Sequence, residues 1–459
     1  MGAGVLPGAD ETIAAIATPA GRGALALVRV SGTDAAAVAS RVLAPWPLDE
    51  RRASLCSVRH PEDDRLLDRA VVTVYGNRSF TGEPMVEIVT HGGQVVPASV
   101  LAALIAAGAR QALPGEFTRR AVVNGRLDLL QAEATADLID ARTTATSRAA
   151  LAQLDGGLSR RIGELRETIL GVEALIAYDI DFPEEDDGPV PAERIGRECR
   201  RTLEALDGLL ETSRFGEMIR AGALVVLAGA PNVGKSSLFN ALVGHARAIV
   251  TNVPGTTRDA LEAVIDAGAV PLRLVDTAGL RPTEDAVERL GVETSERYLR
   301  DAEVIVACAT DAPELDLVMR RVRAMSEVPV IAVATKRDLA PGSDWLPVHT
   351  LADSAVGVSA VTGQGLRTLV AELERLAARG AAAPDDQRPL LTRERHRTAV
   401  IRARQELSSF LTAWEREEVP VVVAAVHLRA ATNSLEELIG AVDVEDVLDR
   451  VFASFCVGK

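Results

Sequence analysis

The feature that most constrains this chain is the segment 224–240, LVVLAGAPNVGKSSLFN. Its apolar start at 224–227 predicts a buried parallel strand. Gly229 to Ser236 then follow the spacing G-x-x-x-x-G-K-S, and a helical pattern begins directly afterwards. A strand, a glycine-bounded loop and a helix in that order are typical of a phosphate-binding loop. The alternative interpretation is a glycine-rich turn that holds no ligand.

The residue types in this loop suit a phosphate chain with a bound magnesium ion. Gly229 and Gly234 let the backbone curl so that successive amide N–H groups point inward. The helix that begins near Lys235 adds the positive end of its dipole. Lys235 can reach the β and γ phosphates, and the Ser236 hydroxyl can ligate Mg²⁺.

Composition bounds the class of protein. A length of 459 residues predicts two or three domains, and 47% apolar with 25% charged residues is ordinary for a soluble globular protein. Only 3% of the residues are aromatic and the net charge is −15, which argues against an extended stacking platform for RNA and against a protein that coats nucleic acid. A local basic patch on one face remains compatible with these numbers.

The cysteines and apolar runs indicate a cytoplasmic protein. Cys56, Cys199, Cys308 and Cys456 are far apart, so neither a disulfide framework nor a zinc site is expected. No signal-peptide pattern opens the chain, and no apolar run approaches the roughly 18 residues of a membrane span. We therefore expect no membrane association.

Periodicity divides the chain into three domains. Residues 1–120 predict a mixed α/β domain, 121–220 and 380–459 a split helical domain, and 221–379 an inserted P-loop domain with a Ras-like parallel sheet. In the first domain strands are predicted at 12–18, 24–30, 71–75 and 85–90, and helices at 34–43 and 95–107. The helical domain should contain one face with Leu138 and Ile139, another with Ile162 and Ile176, and a long helix over 191–214. The acidic run 184–187 is interpreted as a solvated loop.

Four further motifs follow the phosphate loop in order. Gly255-Thr256-Thr257 resembles a first switch, in which either threonine can sense the γ-phosphate and Mg²⁺. A hairpin at 264–269 and 272–275 leads to Asp276-Thr277-Ala278-Gly279, which places Asp276 in the outer coordination sphere of the metal. Thr335-Lys336-Arg337-Asp338 places Asp338 to accept hydrogen bonds from guanine, and Ser359-Ala360 supplies a backbone amide for the base carbonyl. Together these motifs predict a guanine-nucleotide domain.

The full set of predicted nucleotide contacts covers the phosphate loop, both switches and the base-reading loops. It comprises Asn232, Val233, Gly234, Lys235, Ser236, Ser237, Thr251, Asn252, Val253, Pro254, Gly255, Thr256, Thr257, Asp276, Thr277, Ala278, Gly279, Thr335, Lys336, Asp338, Ser359 and Ala360. Ser236 and Thr257 are the predicted Mg²⁺ ligands.

Two positions depart from the common pattern. Thr335 replaces the usual asparagine of the base-reading motif, and its shorter side chain predicts weaker guanine binding while Asp338 preserves selectivity. Leu280 stands where Ras-like enzymes place a water-orienting glutamine. Another group must then orient the attacking water.

At this point the chain resembles a known family. The G domain is similar to TRAFAC-class GTPases with a hydrophobic residue in place of the catalytic glutamine, and the whole chain resembles the MnmE (TrmE) family of tRNA-modification GTPases. The resemblance rests on TIAAIATPAGRG at 12–23, FTGE at 80–83, HGG at 91–93, the run PGEFTRRAVVNGRLDLLQAEATADLI at 114–139, and FCVGK at 455–459.

The resemblance implies a potassium-dependent GTPase whose two G domains dimerise. Asn232 matches the asparagine that ligates K⁺, and Thr251, Val253 and Thr256 lie in the loop that completes that site. A cation there would supply the positive charge of an arginine finger. Glu288 matches the glutamate that orients the attacking water, although without the resemblance it would be interpreted as an exposed helix residue.

The resemblance also implies a one-carbon cofactor. The N-terminal domain would dimerise and hold 5-formyl- or methylene-tetrahydrofolate, with Arg29, Glu87, Arg126 and Lys459 at the matching positions. Arg126 replaces the usual lysine and keeps its charge with a different geometry. Cys456 is either a small buried hydrophobe or a catalytic residue near the one-carbon site.

The leading hypothesis is therefore a GTP-hydrolysing enzyme of tRNA modification. With the flavoprotein MnmG, in a heterotetramer, it would add an aminomethyl or carboxymethylaminomethyl group at C5 of the wobble uridine of certain tRNAs. The flavin chemistry is assigned to the partner, because this chain has no G-x-G-x-x-G fingerprint. The alternatives are a ribosome-assembly switch of the Era/Der kind and a folate enzyme that works without the partner.

Overall fold

The computed structural model describes residues 11–181, 192–245, 249–250, 261–276, 296–339, 349–379, 388–416, 421–440, 451, 455 and 458. The chain forms two compact units. The first comprises Met1–Ala136, Ile162–Arg166 and Thr432–Lys459, and the second Asp137–Arg161 and Glu167–Ala431. The domain boundaries deduced from periodicity stay a prediction.

The first unit contains a seven-stranded, largely antiparallel sheet. Its strands are β1 (Ile13–Ile16), β2 (Leu25–Ser31), β3 (Leu43–Ala44), β4 (Ser54–Arg59), β5 (Leu66–Tyr75), β6 (Met85–His91) and β7 (Arg110–Gln111), in the order β3-β4-β5-β6-β2-β1-β7. The accompanying helices are α1 (Ala35–Ser40), α2 (Val95–Ala106), α3 (Glu116–Val123) and α4 (Leu129–Asp140). The mixed α/β class predicted for this region is confirmed.

The two faces of this sheet differ in how well they are covered. Even-numbered residues of β2, β5 and β6 point into a core shared with α1 and α2. On the opposite face, Phe117 of α3 packs against Ile13 and Ala15 of β1. Further along that face, four apolar side chains stand side by side on neighbouring strands, and we call them the apolar row: Leu55, Val71, Val89 and Leu27. Leu55 is 69% exposed and Val71 43% exposed.

Long helices make up much of the second unit. They are α5 (Thr144–Leu154), α7 (Ala192–Glu211), α8 (Ser213–Ala221) and α12 (Glu394–Arg416), together with most of α6 (Gly157–Asp181) and the first part of α13 (Val421–Ile439). Helices α7 and α12 pack along each other, and Arg404 of α12 forms an ion pair with Asp207 of α7.

The second unit also contains the P-loop sheet. Its strands are β8 (Ala223–Ala228), β9 (Ile249–Val250), β10 (Leu261–Ile265), β11 (Leu272–Asp276), β12 (Val304–Ala309), β13 (Val330–Ala334) and β14 (Ser354–Gly357), in the order β14-β13-β12-β8-β11-β10-β9. The first five in that order are parallel, and β10 and β9 extend the edge antiparallel. Helices α9 (Lys235–His245) and α11 (Leu366–Ala377) cover one face, and α10 (Ala312–Arg323) covers the other. Both faces are therefore buried, as parallel strands require.

The structure corrects several details of the sequence analysis. The helix predicted over 191–214 is interrupted at Thr212 and continues as α8 to Ala221. Ile139, predicted on an apolar helix face, is 47% exposed. Strand β4 was not predicted, and the first strand of the hairpin is Leu261–Ile265 rather than 264–269. Among the described residues, no helix is both long and apolar enough to cross a bilayer.

Candidate nucleotide-binding site

The phosphate loop joins the buried strand β8 to helix α9. Two positions in the loop require glycine, one because of a close approach and one because of its backbone conformation. A Cβ at Gly229 would meet the Cys308 carbonyl oxygen at 2.6 Å, and Gly234 has φ +103°, where a side chain is strained. Asn232 also has positive φ, at 63°. This backbone turns the loop above the carboxyl ends of the parallel strands, where open α/β sheets bind ligands.

Lys235 lies across this loop. Its Nζ donates to the carbonyl oxygens of Gly229 at 3.1 Å and Ala230 at 3.0 Å. Burial lowers the pKa of the ammonium group, and the nearby charge of Asp276 opposes that shift. A desolvated cation at the mouth of the loop is suited to an anionic phosphate chain, because the low dielectric strengthens their attraction.

Asp276 ends β11 beside the strand that feeds the loop, since it pairs in register with Leu227 of β8. The residue is 8% exposed, and its Oδ1 has no hydrogen-bond partner in the described part of the chain. A buried carboxylate oxygen without a donor is costly unless a ligand or water satisfies it. Ser236, in the first turn of α9, is exposed. These oxygens fit a hydrated Mg²⁺, which prefers a few protein oxygens and several waters.

The base-reading loop is tied directly to the phosphate loop. Thr335 is buried, and its hydroxyl donates to the carbonyl oxygens of Val233 at 2.5 Å and Ala309 at 3.3 Å. Lys336, at φ 56°, donates its Nζ to the Asn232 carbonyl at 2.7 Å. Two cross-links therefore fix the distance between the loop for the base and the loop for the phosphates.

Asp338 and Ser359 form the second half of the base site. The Ser359 hydroxyl donates to Asp338 Oδ1 at 2.7 Å, which orients the carboxylate. Ser359 is fully buried, and Ala360 beside it is half-buried. The described residues thus bring together the predicted phosphate-binding and guanine-binding segments at one edge of the sheet.

Several predicted residues lie outside the described part of the chain. They are Thr251, Asn252, Val253, Pro254, Gly255, Thr256, Thr257, Thr277, Ala278, Gly279, Glu288, Cys456 and Lys459. Their proposed contacts with nucleotide, K⁺ or folate remain predictions.

Two of the predicted folate residues, Arg29 and Glu87, are paired in the first unit, and a third, Arg126, contacts the loop at Gly82. Arg29 Nε donates to Glu87 Oε1 at 2.8 Å, across paired positions of β2 and β6. Arg126 is exposed and packs against the loop at Gly82, where an added Cβ would meet its Cγ at 2.9 Å.

Two neighbours of these residues were not predicted. The Tyr75 hydroxyl donates to Glu87 Oε2 at 3.3 Å, and the Arg29 guanidinium lies 5.4 Å from the centre of the Phe80 ring. Strand alternation places Tyr75 on the same face as Glu87, and Phe80 belongs to the FTGE run. Both signals were available in the sequence, but only the register of β5, β6 and β2 shows that they converge.

These geometries define a guanine-nucleotide-binding P-loop domain joined to helices and to a second α/β unit. The model of the MnmE helical domain matches residues 129–456, and that of the N-terminus of the GTP-binding protein TrmE matches residues 12–126. The chain belongs to the family of MnmE tRNA modification GTPases. This confirms the resemblance, the enzyme class and the fold class predicted from the motifs.

Two relatives that carry the MnmE name agree with that assignment. The tRNA modification GTPase MnmE of Moorella thermoacetica is 40% identical, over 98% of this chain and 100% of its own length. That of Symbiobacterium thermophilum is 42% identical, again over 98% of this chain and 100% of its own length.

Among solved structures, the G domain of the T. maritima FeoB iron transporter is similar to part of this chain. The similarity covers 35% of this chain and 98% of the FeoB chain, with 28% identity and a TM-score of 0.27.

Proposed function

We propose that this chain hydrolyses GTP to drive modification of the wobble uridine in certain tRNAs. With a flavoprotein partner of the MnmG kind it adds an aminomethyl or carboxymethylaminomethyl group at C5. The observation that carries the proposal is the linked phosphate and base sites in a chain that is 40% identical, along its whole length, to a named tRNA modification GTPase.

Different residues of this chain have separate roles in GTP hydrolysis. The loop amides and Lys235 hold the phosphates, and Asp338 accepts from the guanine edge while Ser359 fixes its orientation. Thr335 and Lys336 hold the two halves of the site at a constant separation. Glu288 orients the attacking water, taking the role of the glutamine that Leu280 replaces. Ser236, Thr257 and Asp276 would hold Mg²⁺, which supplies charge stabilisation at the β and γ phosphates.

A potassium ion is the second proposed cation. Asn232, Thr251, Val253 and Thr256 would hold it, and it supplies positive charge where other GTPases use an arginine. Two observations on Asn232 support this proposal. The residue has a positive φ within the phosphate loop, and it is exposed.

The first unit is proposed to bind a tetrahydrofolate that carries one carbon. Arg29, Glu87, Arg126 and Lys459 would hold it, and an aromatic edge from Phe80 or Tyr75 lies beside them. A conjugated ring system with acidic groups suits arginines flanked by aromatic side chains. Cys456 is proposed to lie near the same site.

We further propose a homodimer formed through the first unit. The apolar row supports it, because two of its four aliphatic side chains, Leu55 and Val71, are exposed side by side on paired strands.

The test is nucleoside analysis of tRNA from cells that lack this protein. Re-expression of the wild-type chain should restore C5-modified wobble uridines, and Lys235→Ala should not, because it removes the cation at the phosphate loop. Unchanged tRNA with accumulation of unassembled ribosomal subunits would contradict the proposal and favour the ribosome-assembly role.

A further inference from the structure

A cavity of about 970 Å³ lies in the second unit, away from the nucleotide site. Helix α5, the start of α6, helix α8, the turn between β10 and β11, and the segment 388–392 form its walls. Its size is at the upper end of the roughly 300–1,000 Å³ common for ligand sites. Neither the nucleotide site nor the folate residues described above use any of its walls.

The walls of the cavity combine an apolar surface with three arginines. The apolar part comprises Ala145, Ala149, Phe215, Ile219 and Leu390. Arg148, Arg160 and Arg388 also line the cavity, and all three are exposed. Cations beside an apolar surface suit a ligand that has both anionic groups and flat apolar faces.

The charges of these arginines are not neutralised by carboxylates in the described part of the chain. Arg160 donates to the backbone carbonyl of Asp155 at 2.7 Å, and neither Arg148 nor Arg388 forms an ion pair there. Two acidic residues also line the cavity. Asp266 already accepts hydrogen bonds from Thr144 and Gly268, and Asp155 lies at the end of α5. The cavity is therefore a place where an anion gains charge-assisted contacts.

The basic character extends along the chain on both sides of the cavity. Residues 141–161 contain four arginines and one acidic residue, and residues 388–416 contain seven arginines and three acidic residues. The whole chain, by contrast, has a net charge of −15. A local basic concentration in an acidic protein indicates a polyanionic partner, and charge on that scale steers association as well as binding.

We propose that this cavity binds a short single-stranded segment of RNA. The phosphates contact Arg148, Arg160 and Arg388, and a ribose or an unstacked base lies against the apolar wall. Single-stranded loops are the usual targets of RNA-binding pockets, because their bases can leave the stack and enter a protein surface. The inference rests on the proposed function, in which an RNA is the substrate, and it adds where that RNA contacts this chain.

The cavity also has a structural link to the nucleotide site. The turn at 266–269 in its wall connects β10 to β11, and β11 ends at the buried Asp276. RNA in the cavity would thus contact the same hairpin that carries Asp276, the carboxylate predicted for the outer coordination sphere of the metal.

The test is a fluorescence-anisotropy titration of the full chain with a labelled anticodon stem-loop RNA over a series of salt concentrations. The triple variant Arg148→Gln, Arg160→Gln, Arg388→Gln should bind about tenfold more weakly or worse. Its slope of log K against log salt should fall by about 2, because three phosphate contacts to a single strand are lost. A fully paired RNA of equal length should bind the wild type more weakly than the stem-loop.

A matched control separates the cavity from overall charge. Arg200→Gln, Arg201→Gln, Arg320→Gln removes three exposed arginines outside the cavity, with side chains 53%, 68% and 74% exposed. This variant should keep the wild-type slope. If both triple variants lose the same RNA affinity, the cavity is not the RNA site. The proposal also falls if the cavity variant binds RNA as the wild type does but no longer binds a protein partner. If the triple variant does not fold, each single substitution should still lower the slope by about 0.7.

Failure of this inference can be told apart from failure of the proposed function. If deletion of the protein abolishes wobble-uridine modification while the isolated chain binds no RNA, the function stands and the cavity assignment falls. If deletion leaves tRNA unchanged, the proposed function falls whatever the titration shows.

Discussion

Thr335 shows how a single side chain can link two loops of the candidate site. Threonine is shorter than the usual asparagine, so weaker guanine binding is predicted at this position. In the structure its hydroxyl is turned away from solvent and donates to backbone carbonyls of the phosphate loop and of β12. Its main role is therefore to hold the two loops together.

Removing that hydroxyl should weaken nucleotide binding. Thr335→Ala leaves the buried Val233 carbonyl without its donor, at a cost of about 1–3 kcal/mol. We expect the Kd for a fluorescent GDP analogue to rise about tenfold. Thr335→Ser keeps the hydroxyl and should bind almost as the wild type does. Equal weakening in both variants would show that the methyl group, rather than the hydrogen bond, matters.

The potassium proposal is tested at Asn232. If Asn232 ligates K⁺, replacing K⁺ by Na⁺ should strongly slow GTP hydrolysis by the wild type, because the smaller ion fits the site less well. Asn232→Ala should hydrolyse GTP slowly in both salts. Equal wild-type rates in K⁺ and Na⁺ would remove this mechanism.

Glu116 is the centre of a buried charge network in the first unit. Burial by itself raises the pKa of Glu116, but hydrogen bonds from Arg110, the Leu113 amide and Arg120 hold that pKa below its ordinary value. A carboxyl group with a depressed pKa in the folded state stabilises the fold above its unfolded pKa, about 4.3. That contribution is lost as the pH falls through the folded pKa.

The pH dependence of unfolding should reveal this network. Wild-type stability against urea should decline as the pH falls below about 4, since Glu116 must take up a proton. Glu116→Gln should lose about 3 kcal/mol at pH 7, because the buried Arg120 and the partly exposed Arg110 lose their charge partner, and its stability should depend less on acid. If the stability of the variant falls with pH as steeply as that of the wild type, other carboxylates cause the acid dependence.

At the scale of elements, the sequence predicted what periodicity and motif spacing determine. The buried strand β8 was predicted within one residue at each end, since it is a short apolar run that leads directly into the phosphate loop. Strand β4 was missed, because its sequence SLCSVR is only half apolar and the exposed Leu55 interrupts the alternation of the buried Cys56 and Val58.

Other elements depend on contacts that no local pattern contains. The interruption at Thr212 coincides with tertiary hydrogen bonds, because its hydroxyl donates to the Leu209 carbonyl and accepts the Leu391 amide. Leu391 lies far from Thr212 in the sequence, so the local periodicity gave no sign of this contact and predicted an unbroken helix. The same limit applies to the candidate site: the motifs predicted its members, but not the cross-links from Thr335 and Lys336 to the phosphate loop.

The contact between α8 and the segment at 391–392 gives a prediction for this element. A Cβ at Gly216 would lie 2.4 Å from the Leu391 carbonyl oxygen, where backbone must move. Gly216→Ala should therefore lower stability by about 1–3 kcal/mol. Gly208→Ala in α7 is the control, because its Cβ meets nothing within 4 Å and alanine favours a helix by about 1 kcal/mol. Equal thermal shifts in the two variants would contradict the close packing.

At the scale of the whole molecule, the two units have different relations to water. The P-loop sheet is buried on both faces by its helices. The sheet of the first unit has one face under α1 and α2, while Leu55 and Val71 of the apolar row are exposed on the other face. A flat sheet surface of this kind is suited to a two-fold contact, in which the same patch serves both copies.

The apolar row therefore predicts the oligomeric state. Leu55→Lys with Val71→Lys places two charges on the proposed contact, and their desolvation should shift the protein from dimer to monomer. Light scattering coupled to size-exclusion chromatography measures this mass directly. Val361→Lys with Leu317→Lys is the control, since these side chains are 83% and 69% exposed and belong to the second unit. A dimer that survives the first pair of substitutions would move the contact to another surface, and a monomeric wild type would contradict the homodimer itself.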